Sequence, residues 1–250
     1  METASKIEAL RARIRQIETD GRSERGYLPF GIEEVDSRLR GRGLARASLH
    51  EVAGGGNDAV HGAAAVLFAA GILARTSGYV LWCVTRRDLF APALAQAGLH
   101  PDRVIYAEVG DEKSLLSCFE EGLRHGGLGG VVGEVAKLTM NVSRRLQLAA
   151  EQSGTLGIAI RRWRRSTEAV DFGQPTASVT RWRVTALPSQ PLPVPGLGRA
   201  QWLVELIRSR AGECADFELE ACDEKGRLAL PAELGNGSLT TGDGRFRATA

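Results

Sequence analysis

From about residue 47 to residue 160, short apolar runs alternate with helical patterns, and few architectures accept that rhythm. Ala47 to Val52, Tyr79 to Val84, Val104 to Val109, Gly130 to Val135 and Gly157 to Ile160 have the length and composition of strands. Between them, Val60 to Ala74, Leu89 to Ala97, Lys113 to Arg124 and Ser143 to Gln152 read as helices. A strand that returns to the same sheet after one helix runs parallel to its predecessor. The run Tyr79 to Val84 lacks polar alternation, as in a sheet covered on both faces. Val60 to Ala74 is small and apolar almost throughout, which marks a buried helix. The expected core is therefore α/β: a doubly wound, mostly parallel sheet with helices on both faces.

The flanks have other patterns. Ser5 to Glu18 reads as a helix ended by Asp20-Gly21, with Ile7, Leu10, Ile14 and Ile17 forming one narrow apolar seam on a charged cylinder. Such a seam docks on its own domain or on a partner, and both readings stay open. Leu28 to Ile32 leads into a short helix around Val35 and Leu39, followed by a glycine-rich connector from Arg40 to Gly43. After the core, Ser166 to Ala177 reads as a loop and Val179 to Thr185 as a strand. Pro191, Pro193, Pro195, Gly196 and Gly198 mark a linker. Trp202 to Arg208 and Asp216 to Cys222 then read as a hairpin extending the sheet, with Trp182 and Trp202 assigned to the core. From Leu234 onward Gly, Ser, Thr and Asn dominate, as in disordered segments. The expected organisation is an N-terminal amphipathic helix over 1–26, a core domain over 27–230 with a C-terminal β extension, and a disordered tail over 231–250.

Composition narrows the compartment. No apolar run reaches 18 residues, and Met1 to Glu8 lacks the apolar centre of a signal peptide, so a cytoplasmic protein without a membrane span is expected. Cys83, Cys118, Cys214 and Cys222 show no CxxC spacing, and Cys83 and Cys118 lie inside apolar stretches. His50, His61, His100 and His125 share no ligand spacing either, so no metal is expected.

A strand, a glycine-rich turn and a helix form the setting of a phosphate-binding loop, G-x-x-x-x-G-K-[ST]. Its glycines let backbone N–H groups wrap the phosphates, its lysine neutralises them and its hydroxyl holds Mg²⁺. Here the frame opens at Gly54, Gly55 and Gly56, but Ala59 replaces the second glycine, Val60 the lysine and His61 the hydroxyl residue. Asn57-Asp58 sets a carboxylate where phosphates would lie. The later strand gives Val131-Val132-Gly133-Glu134, with glycine at the metal-side acid position and Glu134 alternating to the other face. The strand from Tyr79 is followed by Thr85-Arg86-Arg87, with an acid only at Asp88. Three parts of a nucleotide triphosphatase are missing, so neither an enzyme nor a cofactor is expected. The turn remains open to two readings, a plain βα connection or a weak residual nucleotide site.

The densest basic run is Arg161-Arg162-Trp163-Arg164-Arg165. Arginines can neutralise phosphates and a tryptophan can stack on a base. Arg and Trp also serve as anchors in protein interfaces. Single-stranded DNA contact, a partner interface and a solvated basic loop are the three readings.

The order of segments resembles RecA. Phe30-Gly31-Ile32-Glu33-Glu34-Val35-Asp36 is similar to the stretch before its first core strand, Gly41 to Ser48 to the approach to its phosphate loop, and Val131-Val132-Gly133-Glu134-Val135-Ala136 to its VVDSVA stretch. The degenerate loop, Ser143-Arg144-Arg145-Leu146-Gln147-Leu148-Ala149-Ala150-Glu151, Thr180-Arg181-Trp182-Arg183-Val184 and Trp202 to Arg208 together resemble the ImuA family of RecA-related bacterial proteins. That resemblance spans roughly residues 28 to 230. It implies a RecA-like fold and a non-enzymatic accessory role in damage-induced (SOS) translesion DNA synthesis and mutagenesis. It also implies an ImuB-like polymerase-related protein and an error-prone C-family DNA polymerase as partners, with RecA and single-stranded DNA as further candidates. The alternatives it leaves open are a SulA-like SOS inhibitor of cell division and an ATP-dependent RecA-like recombinase.

Overall fold

A computed structural model describes residues 26–56, 58–163, 172–189, 196, 198–210 and 212–231, at 58–60 the backbone alone. The predicted N-terminal helix, Arg164 and Arg165, the proline-rich stretch 190–195 and the tail from 232 lie outside the described residues. Eight strands form one sheet: β3 (Leu49–Gly54), β4 (Val80–Val84), β5 (Val104–Glu108), β6 (Gly130–Val135), β7 (Gly157–Arg161), β8 (Thr180–Leu187), β9 (Gln201–Ser209) and β10 (Ala215–Glu220). Their spatial order is β10-β9-β8-β3-β7-β6-β4-β5. The pairs from β8 through β5 are parallel, and β9 and β10 add on antiparallel. The predicted doubly wound core and its β-hairpin extension are both present. A separate two-stranded ladder, β1 (Tyr27–Leu28) with β2 (Leu44–Ala45), was not legible in the sequence.

Five described helices flank the sheet: α1 (Glu33–Asp36), α2 (Asp58–Ala74), α3 (Ala91–Gln96), α4 (Glu112–His125) and α5 (Met140–Ser153). The α2 side is packed by Phe30, Phe68, Trp182 and Trp202, whose rings meet at centroid distances of 5.5 to 6.5 Å. Both tryptophans lie in this core as expected. On the other side, α4 and α5 cover Leu49, Cys83, Val131, Val135 and Ala159. Local chemistry sets the helix limits. Asp111 accepts from the Ser114 N–H at the start of α4, and Gly126 ends it at φ 72°. Thr139 caps α5, so that helix starts three residues before Ser143. No helix among the described residues is long and apolar enough to cross a membrane.

Candidate functional site

The carboxyl ends of the parallel strands carry the segments where such folds place their chemistry. The turn after β3 is closed in on itself. The Gly55 N–H donates to the Val184 carbonyl at 3.0 Å, so β8 already uses a donor that a phosphate would need. A Cβ at Gly55 would run into Thr185 Oγ1. A Cβ at Gly54 would stand 2.8 Å from the His61 carbonyl carbon, so β3 and α2 meet here with no space for a side chain. His61 Nδ1 accepts the Ala186 N–H at 3.2 Å, bringing its ring beside Gly56. The backbone of Ala59 and Val60 lies in the first turn of α2.

The acid positions have other occupants. Gly133 lies against Phe119 of α4, and a Cβ there would stand 2.5 Å from the ring. Glu134 is buried on the opposite face, as strand alternation required. It accepts from Trp82 Nε1 at 2.9 Å and from Arg162 Nη1 at 2.7 Å. Burial raises its carboxyl above the ordinary range, opposed by the Arg162 charge and the Trp82 hydrogen bond. Asp88 takes the other side of Arg162 at 2.8 Å. Glu112 accepts the Ala136 and Lys137 N–H groups at 2.7 and 2.8 Å. Glu134, Arg162, Glu112, Ala136 and Lys137 border a crevice of about 360 Å³, lined also by Thr85, Arg86, Gly110 and Asp111. Glu134, Asp88 and Glu112 thus each have a partner inside the protein. Among the described residues no group of three His, Cys, Asp or Glu side chains is placed to hold a metal ion.

The basic run is not one loop, which corrects part of the sequence reading. Arg161 is the last residue of β7, with a fully buried side chain, not the start of a solvated segment. Its guanidinium meets Glu51 of β3 at 3.1 Å and the Ala136 carbonyl at 2.9 Å. Arg162 is bound by Glu134 and Asp88. Trp163 is 6% exposed and packs at a tilt on Phe172, ring centroids 5.8 Å apart, so it is not offered to a base. For Arg161 and Arg162 the cause is charge: the buried carboxylates Glu51 and Glu134 need cations, and these two arginines supply them.

Glu51 centres a network that sequence reasoning missed. It also receives Arg181 of β8 at 3.2 Å and Ser178 Oγ at 2.8 Å, with Thr176 Oγ1 donating to the same oxygen. Arg181 reaches the Phe172 and Gln174 carbonyls at 2.6 and 2.8 Å and lies over the Phe172 ring at 5.1 Å. The network fastens residues 172–178 across the sheet beside α5, where Ala177 N–H donates to Ser143 Oγ at 2.9 Å. The one available signal was a glutamate inside the strand-like segment Ala47 to Val52.

No family model matches the chain. Over 228 residues it is 35% identical to Protein ImuA of Caulobacter vibrioides strain NA1000 / CB15N, spanning 87% of this chain and 92% of that protein. Protein ImuA of the strain ATCC 19089 / CIP 103742 / CB 15 matches to the same extent. Among solved structures, the RadB recombinase superposes with a TM-score of 0.56 at 18% identity, covering 82% of this chain and all of that one. That likeness concerns the fold alone and agrees with the RecA-like architecture. SulA from Pseudomonas aeruginosa matches at a TM-score of 0.39 and 22% identity over 45% of this chain and 96% of its own, too little to bear on this one.

Proposed function

The chain belongs to the ImuA family, and from that premise we propose that it serves damage-induced (SOS) translesion DNA synthesis and mutagenesis as a non-enzymatic accessory factor. The similarity to Protein ImuA over 87% of the chain carries this reading. The geometry supports its non-enzymatic part. The Gly55 N–H is bonded within the sheet, Gly133 is covered by Phe119, and Glu134 and Asp88 are paired with Arg162. In this reading the chain works through contacts. An ImuB-like polymerase-related protein and an error-prone C-family DNA polymerase are its partners, with RecA as a further one. The seam Ile7, Leu10, Ile14 and Ile17 and the pair Arg164 and Arg165, all outside the described residues, are its docking candidates.

Capture of partners with the tagged full chain from cells treated with a DNA-damaging agent tests the reading. The ImuB-like protein is expected in the eluate, and less of it after Ile14→Asp, which puts a charge into an apolar contact. Absence of both polymerase-related partners from the eluate overturns the accessory role. Calorimetry with ATP and Mg²⁺ tests the other half, and micromolar binding overturns the non-enzymatic assignment.

A further inference from the structure

We propose that Cys83 and Cys118 form an oxidation site, a dithiol that hydrogen peroxide converts to a disulfide linking β4 to α4. Cys83 is fully buried on the face of β4 turned to α4. Its thiol points at Cys118 on the helix, with the two sulfurs 3.5 Å apart. Cys118 is half-buried, so a small oxidant reaches it first. The helix is seated close to the sheet around this pair. A Cβ at Gly122 would stand 2.5 Å from Leu81, and one at Gly133 the same distance from Phe119. Closing from 3.5 Å to a disulfide length of about 2.05 Å takes a shift of roughly 1.5 Å, within the reach of side-chain rotation and a small helix movement. Cys214 and Cys222 are engaged otherwise: the Cys214 thiol donates to the Ile207 carbonyl at 2.9 Å, and Cys222 packs against Gly71.

The chemistry balances in two steps. Cys118 sulfur attacks one peroxide oxygen, the O–O bond breaks, and the departing oxygen leaves as water with the thiol proton. Cys118 is then a sulfenic acid, oxidised by two electrons. Cys83 sulfur attacks the Cys118 sulfur, the S–O bond breaks, and hydroxide leaves as a second water with the Cys83 proton. Burial pushes the Cys83 thiol well up, so it is the weaker nucleophile of the two, and its attack rests on the 3.5 Å proximity of the sulfurs, with its proton leaving to the departing hydroxide. An external dithiol reverses the link by exchange. The link draws α4 toward β4, and the first residue of α4, Glu112, holds the Ala136 and Lys137 amides at the rim of the crevice. The state of the pair is thereby coupled to the shape of that rim.

The test uses the reduced full chain, hydrogen peroxide, alkylation of the remaining thiols and peptide mapping by mass spectrometry. A linked Cys83–Cys118 peptide is expected, two hydrogens lighter than the reduced pair and restored by dithiothreitol. The Cys214→Ser/Cys222→Ser double variant is expected to link equally. Cys83→Ser is expected to hold Cys118 as a dimedone-reactive sulfenic acid. If that buried substitution fails to fold, the wild-type map decides, with the exposed Cys214→Ser variant as its control. Sulfenic acid at Cys118 without linkage, or oxidation confined to Cys214 and Cys222, overturns the proposal.

Discussion

Glu51 accepts two guanidiniums and two hydroxyls with its side chain wholly out of water. A buried pair adds little net stability, but removing one member leaves uncompensated charge. Glu51→Gln keeps the shape and leaves Arg161 and Arg181 without their carboxylate. We expect a loss of about 3–5 kcal/mol, read as a lower urea midpoint at an unchanged m value. A midpoint within error of wild type would show that the two arginines do not depend on this carboxylate. His50 makes a second prediction at the same scale. It is fully buried between Thr180 Oγ1 at 2.7 Å and the Ala45 carbonyl at 2.8 Å, and burial lowers its pKa from 6.5 to about 4. A group whose folded pKa is depressed binds more protons unfolded, so stability rises with pH across that window. It is fully present above pH 6.5 and falls as the pH drops toward about 4. The expected slope is about 1.4 kcal/mol per pH unit, amounting to roughly 3 kcal/mol near pH 4. Urea titrations at pH 7, 6 and 5 measure it. His50→Gln should flatten this part of the profile even if it lowers overall stability.

At the scale of elements, α2 shows how composition becomes packing. The small residues that marked it as buried let neighbouring segments approach its backbone. Cys222 sits over Gly71, and the segment following β10 returns along the helix so that Gly226 faces the Gly71 carbonyl and Ala74. Gly71→Val would drive a side chain into Cys222 and lift that segment off. Overpacking of this kind costs about 1–3 kcal/mol, and a lower Tm with faster proteolysis after residue 220 is the expected result. An unchanged Tm would mean that the returning segment adds nothing to stability. Most elements were legible because each has its own period: the core strands are apolar runs and α4 is visibly amphipathic. What escaped depends on distant partners. Arg161 reads as the residue after a strand because an arginine ends an apolar run, yet its counter-charge lies 110 residues earlier. Trp163 beside four arginines reads as an exposed aromatic, whereas Phe172 and Ala53 bury it. The β1–β2 ladder is two residues long on each side, below what any periodicity can register. The glycine turn was read in its residues, but its closure by Thr185 and His61 requires β8 to lie beside β3, which is tertiary information.

At the scale of the whole molecule, the surface that could meet single-stranded DNA is smaller than the basic run implied. Arg161 and Trp163 are interior, and Arg162 has two carboxylates in contact. Of the five residues, Arg164 and Arg165 lie outside the described residues, and we propose that phosphate neutralisation by this run falls to them. Each single-strand phosphate contact contributes roughly −0.7 to the slope of log affinity against log salt. Arg164→Ala/Arg165→Ala should therefore flatten that slope by about 1.4 while leaving the folding midpoint unchanged. Trp163→Ala should behave in the opposite way. It empties the contact with Phe172 and Ala53, so it should lower stability by several kcal/mol, as loss of a buried aromatic does. At salt and temperature where it stays folded, its slope should match wild type. Fluorescence anisotropy with a labelled oligonucleotide at several salt concentrations, set beside urea melts of both variants, separates the two effects. A partner interface predicts a third pattern, in which the arginine pair leaves the slope alone and abolishes capture of the ImuB-like protein. Wild-type chain with no detectable binding at low salt removes the DNA reading; loss of capture by the arginine pair variant then assigns a partner interface, and no effect in either assay a solvated basic loop.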